Sequence, residues 1–205
     1  TNVVTREGGI KLEAISQGSF CGDTVFISCE STMYGSTGNV LSLIASSSGG
    51  TNAQVRGVHF TDCYFYLATT SIYSGGLASQ VCDVFFNSCQ WDAGTAGRMA
   101  ISIRVLNTGE VNGIHFNSPY IVQWPNGAIS CGNSNTTGKI SDIFVRGGQF
   151  GMITGANSTL FFQNVKGVTI SECRLLTCTT QSAINIDNCS NVILANNIST
   201  ASAST

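Results

Sequence analysis

The chain has 205 residues, enough for one domain or two small ones, and nine Lys+Arg against eleven Asp+Glu give a formal net charge of −2. A charge this close to neutral excludes a strong electrostatic grip on nucleic acid or an anionic membrane, and no run approaches the ~20 apolar residues of a membrane-inserted helix. Only 10% of residues are charged, so 25 Ser, 21 Thr and 17 Asn supply the polarity beside 23 Gly, while a hydrophobic fraction of 42% provides for a core and excludes disorder.

Residues 1–54 read as an N-terminal cap and the first coil or coils of a repeat, with no Lys/Arg-led signal peptide. Within them, residues 10–15 (IKLEAI) form a short strand that covers the open end of a core. Cys21 starts a faint copy of a pattern (CGDTVFISCES), Leu41/Leu43 is an apolar alternation, and residues 45–53 (ASSSGGTNA) are a polar loop. Residues 55–199 carry the regular coils. Six segments align there without gaps: VRGVHFTDCYF from Val55, VCDVFFNSCQW from Val81, VNGIHFNSPYI from Val111, ISDIFVRGGQF from Ile140, VKGVTISECRL from Val165 and CSNVILANNIS from Cys189. Their starts lie 26, 30, 29, 25 and 24 residues apart. A constant eleven-residue core with unequal spacers is a solenoid whose loops vary on one side. Between the units, residues 68–79 (ATTSIYSGGLAS) read as a decorating loop. Second apolar strands are predicted at Ile101/Ile103, Ile129/Cys131, Leu160/Phe162 and Ile184/Ile186. Trp124 precedes the turn Pro125–Asn126–Gly127. Residues 200–205 are a polar tail.

The columns of the alignment have physical content. The third holds only turn formers: Gly57, Asp83, Gly113, Asp142, Gly167 and Asn191. The fourth and sixth are apolar (Val58/Phe60, Val84/Phe86, Ile114/Phe116, Ile143/Val145, Val168/Ile170, Val192/Leu194), the period of a strand with one buried face. The ninth is mostly small: Cys63, Cys89, Pro119, Gly148, Cys173 and Asn197. The eleventh is large (Phe65, Trp91, Ile121, Phe150, Leu175) until Ser199 breaks it. Successive coils run the same way, so their strands pair in parallel, and about seven coils at ~4.8 Å each make a rod about 35 Å long. Nothing recurs at helical spacing. The fold class is all-β, a parallel β-helix.

The V-x-G/D-V-x-F-x-x-C-x-F coil, with its Ser/Thr/Asn richness and low charge, resembles the pectate-lyase-like right-handed parallel β-helices. Among these it is most similar to the β-helix of bacteriophage tailspikes and related tail or appendage fibres. The resemblance implies a homotrimer located in the virion, assembled in the bacterial cytoplasm beside other virion proteins, whose ligand is a host-surface polysaccharide.

Column five lies between two buried positions and faces outward: His59, Phe85, His115, Phe144, Thr169 and Ile193. Column ten adds Tyr64 and Tyr120. An outward ladder of Phe, His and Tyr is a subunit interface, a platform on which sugar rings stack, or a face covered by an intrachain loop. Trp124, beside its turn, is a further stacking candidate, with burial beneath the loop as the alternative.

The nine cysteines are odd in number and form no CxxC pair, and only His59 and His115 accompany them. Neither a metal nor a cofactor is expected, and the thiols read as small buried hydrophobes in a chain assembled under reducing conditions. Glycoside hydrolysis in its usual form needs two carboxyls about 5–9.5 Å apart. Asp83 and Asp142 share the turn column two coils apart, about 10 Å, and turn chemistry alone accounts for both. Asp92 and Asp187 lie at strand ends or in loops without an evident partner. These four are the candidate catalytic residues if the chain is an enzyme. The expected function is structural display and recognition of a host carbohydrate. The alternatives are a polysaccharide depolymerase, hydrolase or lyase, on the same fold, and a purely structural virion decoration.

Overall fold

Each eleven-residue unit turns at its third position, and the turn is made by backbone in the left-handed region. In a computed structural model of the chain, φ there is 50° at Asp23, 64° at Gly57, 54° at Asp83, 61° at Gly113, 56° at Asp142, 81° at Gly167 and 54° at Asn191. The structure describes residues 4–6, 9–16, 18–33, 38–46, 52–76, 78–94, 98–132, 137–151, 153, 158–176 and 182–200. The eighth position turns in the same way, at Ser28, Asp62, Ser88, Ser118, Gly147, Glu172 and Asn196, all at positive φ. Short polar side chains and glycine are the residues that enter this region at least cost.

Asp and Gly alternate in the third column, and packing between coils explains it. A Cβ on Gly57, Gly113 or Gly167 would lie 2.6, 3.0 or 2.6 Å from the Oδ1 of Asp23, Asp83 or Asp142 one coil earlier. A carboxylate in this column fits beside a following residue that has no side chain.

Between the corners the chain forms three parallel sheets and, among the described residues, no helix. The long sheet stacks Phe20–Ile27, Gln54–Thr61, Gln80–Asn87, Glu110–Asn117, Lys139–Arg146, Val165–Ser171 and Ser190–Ala195. The short sheet stacks Val4–Arg6, Glu30–Thr32, Tyr64–Tyr66, Gln90–Asp92, Tyr120–Val122, Gln149–Gly151, Arg174–Leu176 and Ile198–Thr200. The middle sheet stacks Ile10–Ala14, Asn39–Ala45, Thr69–Gly75, Ile101–Leu106, Ile129–Gly132, Leu160–Gln163 and Ile184–Asp187. The result is a parallel β-solenoid of about five turns, residues 39–66 through 160–176, each covered by a neighbour on both sides, with one end turn beyond each. In the long sheet the register runs Cys21↔Val55↔Val81↔Val111↔Ile140↔Val165, the gapless alignment of the repeat.

The core fills the space between the sheets. Column six stacks Phe26, Phe60, Phe86 and Phe116 at 4.8, 5.0 and 5.1 Å with rings within 8° of parallel. Phe65 and Trp91 meet this stack edge-on from the short sheet. Each such buried ring contributes about 1.5–3 kcal/mol by burial and each ring pair about 0.5–1.5 kcal/mol more. Column nine puts thiols at the corner. The thiols of Cys63, Cys89 and Cys173 donate to the column-six carbonyls of Phe26, Phe60 and Val145 one coil earlier, at 3.7, 3.5 and 3.6 Å, and Asn197 Nδ2 donates likewise to the Ile170 carbonyl at 2.8 Å. Six of the described cysteines are buried, while Cys21 and Cys189 are half-buried; all eight are free thiols, and Cys178 lies outside the described residues. Burial pushes the Cys131 and Cys173 thiols up, and burial aided by Asp83 pushes Cys82 up to about 11, which keeps them protonated and inert near neutral pH.

One expectation is corrected. Residues 69–75, read from sequence as part of a loop, are a full strand of the middle sheet, with Thr70 and Ile72 opposite Leu41 and Leu43. Thr70 occupies an apolar column and is fully buried, and its hydroxyl accepts a 2.8 Å hydrogen bond from Trp91 Nε1. That bond offsets the desolvation of both groups. Of the loop expected at 45–53 only residues 45, 46, 52 and 53 are described, and residues 201–205 of the tail lie outside the described residues.

Gly113→Val combines a β-branched side chain at positive φ with a collision against Asp83. It should cost about 2 kcal/mol or more in denaturant unfolding, whereas Gly132→Ala, at an ordinary φ with open space, should change stability by less than about 0.5 kcal/mol. Equal stabilities for the two variants would remove the corner as the organising constraint.

Candidate functional site

The outward columns place the predicted residues on two separate faces. On the long sheet, His59, Phe85, His115 and Phe144 form one continuous stack with centroids 4.6, 4.5 and 4.5 Å apart and rings within 11° of parallel. The Arg146 guanidinium lies 5.2 Å from the Phe144 ring centre, and Asn117 Nδ2 donates to Asn87 Oδ1 at 2.9 Å in the neighbouring column. Exposed Val25 and Ile193 extend the stripe at its ends. Burial first, and Arg146 second, hold the His115 imidazolium below its ordinary range, against the opposing pull of Asp83 and Asp142.

On the short sheet, Tyr64 and Tyr120 are 43% and 38% exposed, with Gln90 between them in the register. Tyr64 pairs instead with Tyr66 on its own strand, 6.2 Å away and nearly parallel. Trp124 joins neither face. It is fully buried, seated against Gly94, where a Cβ would collide with the indole, so it has no ring to offer a sugar. Its Nε1 is buried without a partner.

The four candidate carboxylates are not brought together. Asp83 and Asp142 hold corners of the long sheet, with Gly113 between them. Asp92 ends a short-sheet strand with a buried, unpartnered Oδ1, and after burial itself it is the main influence pushing the Tyr66 phenol up. Asp187 ends a middle-sheet strand and accepts a 2.7 Å bond from Gln163 Nε2.

A concavity lies on the middle sheet, a face that supplied only Asp187 among the candidates. Two outward columns build it. One is a hydroxyl ladder, Ser42↔Ser71↔Ser102↔Ser130, one serine per coil. The next runs Ile44↔Tyr73↔Arg104↔Gly132↔Gln163↔Asp187. A cavity of about 470 Å³ lies on the Tyr73 side of Arg104, and one of about 260 Å³ on the Gly132 side; both are lined by Arg104 and Leu106, so they form one groove. Two glycines shape it. The Tyr73 ring folds over Gly75 into space that any Cβ would occupy. Gly132 interrupts its column, and a Cβ there would meet Phe161 and Gln163 at an ordinary contact distance of 3.8 Å, so the interruption is a notch one side chain deep that admits a Cβ without collision. On the rim, Arg98 Nη1 donates to the Gly38 carbonyl at 2.6 Å. Arg104 is exposed and makes no hydrogen bond or ion pair among the described residues. The serines had a legible signal, since Ser42, Ser102 and Ser130 each sit between the members of a predicted apolar pair. Tyr73 had none, because Thr70 hides its strand.

No family model matches the chain, and no curated protein matches it. Among solved structures, two trypsin-treated variants of QnrB1, a plasmid-mediated fluoroquinolone resistance protein, align with it at 13% and 14% identity. The alignments cover 94% and 92% of this chain and 92% and 93% of theirs, with TM-scores of 0.21 and 0.17. Likeness that low carries no argument about activity.

The depressed His115 sets a pH dependence. Its folded pKa lies below the unfolded value of about 6.5, so the unfolded chain binds the proton more readily. The neutral ring's contribution is therefore present above about pH 6.5 and lost as pH falls through the folded value. The melting temperature should drop as pH falls below about 6.5, and His115→Phe should flatten that drop. An unchanged profile in His115→Phe would place the titrating group elsewhere.

Proposed function

We propose that this chain is the solenoid of a virion fibre or tailspike that recognises a host-surface carbohydrate, and that the saccharide lies along the middle-sheet groove. The observation that carries this is the notch over Gly132, walled by Arg104 on one side and Phe161 with Gln163 on the other, above the serine ladder. An aromatic face, a hydroxyl row and convergent polar groups are what a sugar ring offers partners to. The resemblance of the coil to tailspike β-helices supports the virion setting and a right-handed coil. Recognition is better supported than hydrolysis, because the described residues lining the groove include no Asp or Glu to serve as a carboxylate pair.

The long-sheet stripe supplies the partner surface of a homotrimer. A stack of half-buried rings from His59 to Phe144, with exposed Val25 before it and Thr169 and exposed Ile193 after it, is the kind of outward surface that marks an interface between chains.

Two measurements test the two halves. On an array of bacterial-surface saccharides the chain should retain ligands, and Gly132→Leu, which fills the notch without backbone strain, should weaken them about tenfold or more with an unchanged melting temperature. No binding to any saccharide would leave a structural decoration. Light scattering should give three times the 21.5 kDa chain mass, and Phe85→Arg should lower it to one chain. A monomeric parent would overturn the trimer.

A further inference from the structure

We infer that the groove selects an acidic saccharide, one carrying a carboxylate or phosphate substituent, and that Arg104 is the residue that selects it. The inference rests on the saccharide reading above and adds the ligand's charge. Arg104 stands where the two cavities meet, one coil after Tyr73 and one coil before Gly132. Its guanidinium carries five donors in a planar fork, and none is used within the described chain. Gly132 has no side chain, so the fork opens on one side into the notch. Elsewhere the chain does neutralise a charge on this sheet: Lys11 Nζ lies 2.7 Å from Glu13 Oε2, two coils from Tyr73 along the same outward columns. The groove's described lining holds Arg104 beside Arg98, whose Nη1 donates to the Gly38 carbonyl, and no carboxylate. In a chain of net charge −2, this is a local positive centre within a face of hydroxyls and rings.

The chemistry favours an oxyanion over a neutral hydroxyl. A guanidinium binds a planar carboxylate or a phosphate through two parallel N–H···O bonds, and such charge-assisted bonds are about twice as strong as neutral ones. Tyr73 and Phe161, one on each side along the groove, offer ring faces to the sugars flanking the charged unit, and Ser102 and Ser130 offer hydroxyls beneath it. A lysine at position 104 would keep the charge and lose the fork.

The test uses the full chain and matched pairs of oligosaccharides: uronates and sialylated sugars against their carboxyl-reduced forms, and phosphorylated sugars against the dephosphorylated forms. At least one acidic member should bind tighter than its neutral counterpart by about tenfold to a hundredfold. Whether that pair carries a carboxylate or a phosphate identifies the substituent. Arg104→Gln should abolish the difference at an unchanged melting temperature, and Arg104→Lys should restore only part of it. Raising salt from about 0.05 M to about 0.5 M should weaken the parent and leave Arg104→Gln unaffected. Neutral and acidic members binding alike, with Gly132→Leu still blocking both, would overturn this inference and leave the saccharide reading standing. Binding of neither would overturn both.

Discussion

The structure depends on a backbone that turns through the left-handed region twice in every unit. Because coils stack in register, the same position must turn in every coil. The third and eighth columns are therefore filled almost entirely by Gly, Asp, Asn and Ser, and Glu172 is the departure. The stacking then adds a second demand. At about 4.8 Å between coils, a carboxylate in the third column reaches the next coil's Cβ position, so Asp and Gly take turns. The corner also fixes register. A slip of one residue would put Val58, Val84 or Ile114 at positive φ and send every apolar side chain of the strand outward.

With the corners fixed, adjacent residues serve opposite faces. His59 and Phe60, Phe85 and Phe86, His115 and Phe116 are three such pairs, and each contributes one ring to an outer stack and one to an inner stack. The inner stack is sealed by the short sheet, and where column nine holds a thiol or an amide, as at Cys63, Cys89, Cys173 and Asn197, that group reaches the carbonyl at the corner. A cysteine suits that place because it is small, apolar enough for burial and still a weak donor. This accounts for Cys63, Cys89 and Cys173 as corner donors.

The long sheet was legible in the sequence because its unit has constant length and carries two signals at once, a turn column and an apolar alternation. The middle sheet carries only the second, and a single polar residue erases it. Thr70 breaks the alternation, and its bond to Trp91 links side chains 21 positions apart, which no local pattern registers. The eighth column mixes Ser, Asp, Gly, Glu and Asn, so the shared positive φ, not a residue type, marks it as a second turn. Trp124 had a Pro–Asn–Gly turn beside it, which left stacking and burial both open, and Gly94, from the preceding coil, leaves the space that buries it. For Thr70 and Trp124 the missing information is a contact between residues far apart in sequence, whose separation varies with the loops.

That variation also decides where a ligand site can form. Strict repetition gives filled columns, and filled columns on a sheet make ridges, not hollows. The long sheet keeps its rings in line and offers a ridge suited to a partner surface. The short sheet has strands of three residues, and a cavity of about 260 Å³ there is lined by Glu30, Thr32, Tyr66 and Leu67. The middle sheet sets a glycine among long side chains along one outward column, with Tyr73 and Arg104 before Gly132 and Gln163 after it. A hollow there needs no loop or lid, since it is made by one missing side chain in a row of long ones. Of the departures from the repeat, Arg104 and Gly132 line that hollow and Gly75 makes room for the Tyr73 ring, while Thr70 lies in the core against Trp91. A repeat that conserves its corners and relaxes one face can acquire a binding site on that face without disturbing the core.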